Sequence, residues 1–194
     1  KLSSGPKGCF WRPWSAPNKR ANPIAKYRLV NSTLVIMGVS GSGKTTIGKL
    51  LAERFSLRFF DGDDYHSKNN VQKMSRGEPL TDEDREEWLA SLAELIKLER
   101  PIVLACSALK TEYREYLSES DIDLRFVFLD VPFEVAENRL ASREGHFMPV
   151  SLLDSQFETL QRPQNAIHIQ AEEPVLVIVD QVEKVLSRLA HENK

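Results

Sequence analysis

The residues whose types and spacing carry the clearest chemical meaning are Gly38-Val39-Ser40-Gly41-Ser42-Gly43-Lys44-Thr45, which match G-x-x-x-x-G-K-[ST] at every position and are followed by Thr46. Glycines let the backbone curl so that successive N–H groups face phosphate oxygens. A helix starting at Lys44 adds the positive end of its dipole, and the Lys44 ammonium neutralises the β- and γ-oxygens. Gly38 through Thr46 are therefore expected to hold ATP, with Lys44 catalytic and the Thr45 hydroxyl offered to Mg²⁺. A second group is Phe60-Asp61-Gly62-Asp63-Asp64-Tyr65-His66. It puts carboxylates at the carboxyl end of an expected strand, the edge where open α/β sheets bind ligands. Asp61 is the expected magnesium partner, through water, and Asp63 the residue that accepts or orients an attacking hydroxyl, which in phosphoryl transfer is mainly a positioning task. His66 reads either as a substrate contact or as a hydrogen-bonded structural histidine.

A third group begins a helix at Thr81-Asp82-Glu83-Asp84-Arg85. Thr81 suits the N-cap, and the acids suit the positive helix end, so Asp82 and Asp84 read as helix electrostatics. Arg85 has the planar fork that grips a carboxylate bidentately and is the first candidate for a substrate clamp. Trp88 falls on the apolar face with Leu92, Leu95 and Ile96 and reads as core. Other phosphate-loop classes fit less well. The Asn-Lys that a guanine-reading segment needs occurs only at Asn18-Lys19, ahead of the loop, and the strand ending Ala105-Cys106-Ser107 has no carboxylate for a motor or transporter ATPase. Asp130 and Asp180 follow apolar runs and read as strand-end caps. Cys106 has no neighbouring His and reads as a small buried residue.

Seven segments in order, the loop 38–45, Asp61-Gly62-Asp63 with His66, Lys73-Met74 with Gly77-Glu78-Pro79-Leu80, Asp82 to Arg85 with Trp88-Leu89, Cys106 to Lys110 with Tyr113-Arg114, Arg143-Glu144-Gly145-His146-Phe147, and Gln156 to Leu160, together resemble the gluconokinase family from about Leu34 to the C-terminus. The resemblance implies a fold like the shikimate and adenylate kinases, ATP as donor, Mg²⁺, and phosphorylation of the 6-hydroxyl of D-gluconate, often by a homodimer. It also implies an acceptor pocket lined by the segment from Cys106 to Lys110, with Lys110 a second candidate for the substrate carboxylate, and substrate contacts from His66 and His146. Gly145 and Pro149 interrupt the helical pattern as a short lid would, with Arg143 placed to close on the transferring phosphate and Arg139 either sharing that face or solvated. A shikimate-like or nucleoside kinase is the alternative enzyme. A nucleotide-dependent binding module is the alternative outside enzymes, and it would lack the Asp63, Arg85 and Lys110 set.

These residues need a scaffold. Apolar runs alternate with helix-length amphipathic segments, the pattern of βαβ units. Strands are expected at 33–37, 57–60, 102–105, 124–129 and 175–179, and helices near 44–55, 83–98, 110–117, 132–142, 151–160 and 181–191, giving a three-layer α/β/α domain on a five-stranded parallel sheet with a short lid. Residues 33–194 form this domain. Residues 1–32, rich in Pro, Ser, Lys and Arg with Phe10, Trp11 and Trp14 as the only apolar cluster, are expected to be a disordered basic tail.

Of 194 residues, 41% are hydrophobic and 28% charged, a globular composition without an apolar run long enough to span a bilayer. Seven of the 26 basic residues lie in the tail and all 28 acidic ones follow it, so the domain carries 19 basic against 28 acidic residues, a charge near −9. That charge disfavours a nucleic-acid partner. The two cysteines form no metal or disulfide framework. The expected location is cytoplasmic, with organelle targeting by the basic, acid-free tail as the alternative.

Overall fold

The computed structural model describes residues 32–121, 123–142 and 152–192. The expected tail (1–32, but for Ser32) and the expected lid with Arg143 and His146 lie outside them. Five strands, β1 (Leu34–Met37), β2 (Arg58–Asp61), β3 (Ile102–Ala105), β4 (Arg125–Asp130) and β5 (Ile167–Gln170), pair in parallel in the order β2-β3-β1-β4-β5. Central β1 lies between β3 and β4; its onward connection runs to the β2 edge while that of β4 runs to the β5 edge, and its carboxyl end carries the glycine-rich loop. Ligands gather at such a switch point because loops there diverge and leave a crevice.

Two-residue alternation along β1 sorts its side chains. Leu34 and Ile36 join one core with Ile47 and Leu51 of α1 (Lys44–Phe55). On the other face Val35 and Met37 meet Trp88, Leu92 and Ile96. These come from a helix spanning Asp82–Glu99, and α2 (Lys68–Ser75) precedes it as α3. The helix Thr111–Ser118 (α4) joins α3, while Phe133–Ala141 (α5) and Val175–Glu192 lie with α1. Leu152–Thr159 (α6) precedes that last helix, α7. Three layers result, as the alternating pattern implies.

Two elements depart from the sequence reading. The run Val175–Val179 is the first turns of α7, not a strand, and β5 is Ile167–Gln170. Valine-rich composition favours a strand locally, but Ile178, Val179, Val182 and Leu186 repeat at helical spacing and are all buried, while Val175, Leu176 and Val177 are exposed. The Pro174 carbonyl accepts from the Ile178 N–H at 3.1 Å, opening the helix after a residue that suits its first turn. Asp180 therefore caps no strand; it sits on α7 and pairs with Arg54 of α1. Helix α2 was absent from the expected elements because its sequence, KNNVQKMS, has no sustained apolar period. A local N-cap and contacts with α3 hold it. Ser67 Oγ accepts from the Asn70 N–H at 3.2 Å, Asn70 Nδ2 donates to the Asp84 carbonyl at 2.6 Å, and Lys73 Nζ pairs with Asp84 Oδ1 at 2.7 Å. Among the described residues no helix is long and apolar enough to cross a membrane.

Candidate active site

The glycine-rich loop adopts the shape its sequence requires. Gly41 has φ +79°, and a Cβ there would stand 2.5 Å from the Ala136 carbonyl oxygen; Gly38, at φ +141°, would meet the Leu129 carbonyl oxygen at 2.8 Å. Side chains at either point would clash with backbone, so the loop hugs β4 and α5 only because both are glycine. The Gly38 N–H donates to the Ser107 carbonyl at 3.3 Å, tying the loop to the end of β3. Helix α1 starts at Lys44, whose Nζ folds back to the Val39 carbonyl at 2.9 Å. Val39, Gly41 and Ser42 are buried, Ser40, Gly43, Lys44 and Thr45 half-buried, and Thr46, on the first turn of α1, exposed.

Thr45 Oγ1 donates to Asp61 Oδ2 at 2.8 Å, which brings the two expected metal-site residues together. A hydroxyl and a carboxylate oxygen at the mouth of a phosphate loop suit Mg²⁺, which prefers hard oxygen ligands, uses one or two from protein and keeps several waters. Asp61 Oδ1 accepts from the Asp63 N–H at 3.2 Å and so caps the short 3₁₀ turn Gly62–Tyr65 that carries Asp63. The Gly62 carbonyl accepts from buried Trp88 Nε1 at 2.7 Å, fastening that turn to α3. Trp88 thus has a second task besides filling the core. Its ring also stacks on His66, with centroids 4.6 Å apart and planes 10° from parallel. Burial, and then the nearby Arg85 charge, push the His66 imidazole down to about 4, so it is neutral at physiological pH; its buried Nδ1 has no hydrogen-bond partner among the described residues.

One pocket is walled by Ser40, Lys44, Asp63, His66, Arg85 and Gln156, joining the phosphate loop to the acceptor residues. Arg85 is held from behind: its Nη1 donates to Tyr113 Oη at 3.3 Å and to the Thr81 carbonyl at 3.4 Å, and lies 3.7 Å from Asp82 Oδ1. Thr81 caps α3 as its type suggests, in a reciprocal box with Asp84. Asp82 does more than complement the helix end. It accepts from Lys110 Nζ at 2.5 and 2.7 Å and from the Tyr113 hydroxyl, and these two partners, Lys110 first, hold its carboxyl below the usual range. Lys110 is thereby engaged outside the pocket wall, stacked 5.7 Å from the Tyr113 ring. Of the two carboxylate candidates, the structure brings Arg85 and not Lys110 to Asp63 and Lys44.

Cys106 is buried, and desolvation pushes its thiol up to about 12, in keeping with an inert packing residue. Asp130 pairs with Arg162 at the end of β4. Arg139 is half-buried and engaged: its Nη2 donates to the Ala171 carbonyl at 2.7 Å and its Nη1 to the Gly41 carbonyl at 3.4 Å. Buried Arg114, without a role in the sequence reading, donates to the Ala108 and Leu109 carbonyls at 2.9 Å each and pins the turn after β3, where Ala108 has φ +43°. Gln156 was likewise missed as a site residue. No local signal marks it, because its partner Ser40 lies 116 positions away.

A family model described as shikimate kinase matches residues 40–162. A gluconokinase of Gluconobacter oxydans is 51% identical over 134 residues, covering 67% of this chain and 75% of that protein. The thermosensitive gluconokinase of Escherichia coli is 44% identical over 156 residues, covering 78% and 80%. The chain belongs to the gluconokinase family. A crystal structure of a gluconokinase from Sinorhizobium meliloti superposes with a TM-score of 0.78 at 42% identity, covering 84% of this chain and 95% of that one. The shikimate kinase of Aquifex aeolicus, at 20% identity and a TM-score of 0.59, shares the fold.

Proposed function

We propose that this chain transfers the γ-phosphoryl group of ATP to the 6-hydroxyl of D-gluconate, with Asp63 and Arg85 defining the two ends of the acceptor. The observation that carries the reading is the single pocket in which Lys44 and Ser40 of the phosphate loop face Asp63, His66 and Arg85; the relatives named gluconokinase supply the acceptor. Loop N–H groups and the α1 dipole receive the phosphates, and Lys44 balances charge that moves toward the β–γ bridging oxygen as the bond to the γ-phosphorus breaks. Thr45 and Asp61 would hold Mg²⁺, which would neutralise phosphate charge there. Asp63, fixed by Asp61 and by the Trp88–Gly62 bond, orients the 6-hydroxyl and takes its proton as the new O–P bond forms. Arg85, its guanidinium braced by Tyr113 and Thr81, pairs with the gluconate carboxylate in a charge-assisted contact. Neutral His66 offers the polyol a hydrogen-bonding edge without placing a second charge beside Arg85. Arg143 and His146, outside the described residues, are assigned phosphate and acceptor roles by the family resemblance alone.

Incubation with Mg-ATP and, separately, gluconate, shikimate, glycerate and nucleoside monophosphates tests this reading. Formation of 6-phosphogluconate with gluconate at least roughly 100-fold preferred in kcat/KM is the expected result. Preferential phosphorylation of shikimate, or nucleotide binding with no acceptor turned over, would overturn it.

A further inference from the structure

The Val39–Ser40 peptide of the phosphate loop is gripped from both sides. Its carbonyl accepts from Lys44 Nζ at 2.9 Å, and its N–H, on the opposite edge of the same trans amide plane, donates to Gln156 Oε1 at 2.7 Å. Gln156 Nε2 also donates to Ser40 Oγ at 3.0 Å, so one carboxamide fixes both the peptide plane and the serine rotamer. The anchor is firm. Gln156 projects from α6, whose Leu153 is 1% exposed in the main core, whose Leu152 packs with Met74 and Leu80 beside the acceptor pocket, and whose Phe157 ring lies 5.2 Å from Phe133 of α5. The carboxamide both accepts and donates here; an ionised Glu cannot donate, and Leu or Met can do neither.

We propose that Gln156 is a positioning residue for Lys44, acting through the orientation of the Val39–Ser40 peptide. Rotating that peptide would withdraw the carbonyl against which the lysine is folded, so the ammonium would no longer be placed at the phosphates. Gly41 next in the chain is already fixed against α5, with no room for a Cβ, and Gly38 is tied to Ser107. In the stretch between them the Ser42 N–H also donates to the Val39 carbonyl at 3.2 Å, and Gln156 secures the opposite edge of that peptide. The inference rests on the kinase reading for its turnover assay, but its binding assay needs no acceptor.

The experiment compares wild type, Gln156→Leu, Gln156→Met, Ser40→Ala and Lys44→Ala, together with the Gln156→Leu/Lys44→Ala double variant. It reads steady-state kinetics with gluconate and, without gluconate, the affinity for a non-hydrolysable ATP analogue. Both Gln156 variants are expected to lower kcat about 10-fold and to weaken the analogue about 3- to 10-fold, with gluconate KM changed less than about 2-fold; Ser40→Ala, which keeps the N–H contact, loses only about 2-fold. In the Lys44→Ala background, Gln156→Leu should weaken the analogue by less than about 2-fold, because its effect runs through the lysine. Equal losses in both backgrounds would overturn the proposal, as would a raised gluconate KM with unchanged analogue affinity, which would make Gln156 an acceptor contact. A lowered Tm with full kcat and analogue affinity would leave it only structural and refute the proposal. A wild type inactive toward gluconate would sink the acceptor assignment alone, since the binding comparison still decides the role of Gln156.

Discussion

The donor loop draws on eight consecutive residues, Gly38 to Thr45, and works through backbone shape, helix dipole and one lysine. The proposed acceptor wall takes Asp63 from the 3₁₀ turn after β2, His66 from the residue beyond it and Arg85 from α3, and braces Arg85 with Tyr113 of α4. Loss of a backbone-built site requires a change in glycine or in the lysine it serves. The acceptor wall is instead a network in which one residue's orientation depends on another's, as Asp82 shows by accepting from both Lys110 and Tyr113. Phosphate chemistry is the same for every P-loop kinase, so a fixed local motif suffices, whereas acceptor choice calls for groups whose placement varies with tertiary contacts.

Substitutions can break this contrast, and the largest effect belongs to the donor side. Lys44→Ala should lower kcat by roughly 10³-fold or more while shifting Tm by only a few degrees, because the ammonium serves phosphates and not the core. Thermal melts alongside turnover check it, and a folded variant with normal kcat would end the assignment. Next is Asp63→Asn, which preserves shape and removes the proton acceptor. It should cost roughly 10²-fold in kcat with a modest change in gluconate KM.

Arg85→Ala sharpens the acceptor side. Removing a charge-assisted contact of about 2 to 3 kcal/mol should raise gluconate KM roughly 30- to 150-fold, with ATP affinity nearly unchanged, and should erase most of the preference for gluconate over glucose. Lys110→Ala, engaged with Asp82 outside the pocket, should raise that KM less than about 5-fold. If the two variants exchange these magnitudes, the clamp is Lys110.

The smallest predicted effect concerns His66. Its folded-state pKa near 4 lies below the ordinary 6.5, so between those values the unfolded chain binds the proton and the native one does not. Stability tied to this group is fully present above about pH 6.5 and is lost as the pH falls toward 4. Urea midpoints from pH 7.5 to 4.5 should therefore decline less in His66→Phe than in wild type. Parallel declines would mean that the imidazole charges as readily in the folded state as in the unfolded one.

The phosphate loop was legible because its chemistry is contiguous: glycine spacing, Lys44 and Thr45 need only a strand before and a helix after. The placement of Asp61 and Asp63 at the carboxyl end of β2 was legible for a related reason, since the apolar run before them marks the strand. The N-cap at Thr81 followed from local side-chain chemistry, and the start of α1 from the glycine loop before it. By itself, then, the sequence determined the α/β class, the parallel sheet, the glycine-rich loop between β1 and α1 and the candidates for the acceptor. The tertiary structure decided that Val175–Val179 is helix, because only packing against the core ranks helical burial above the β-preference of valine. Packing also decided that polar α2 is a helix, that Lys110 is engaged by Asp82 while Arg85 lines the pocket, and that Gln156 reaches Ser40. Each of these depends on contacts between residues far apart in the chain, whose energies exceed local preferences of a few tenths of a kcal/mol per residue.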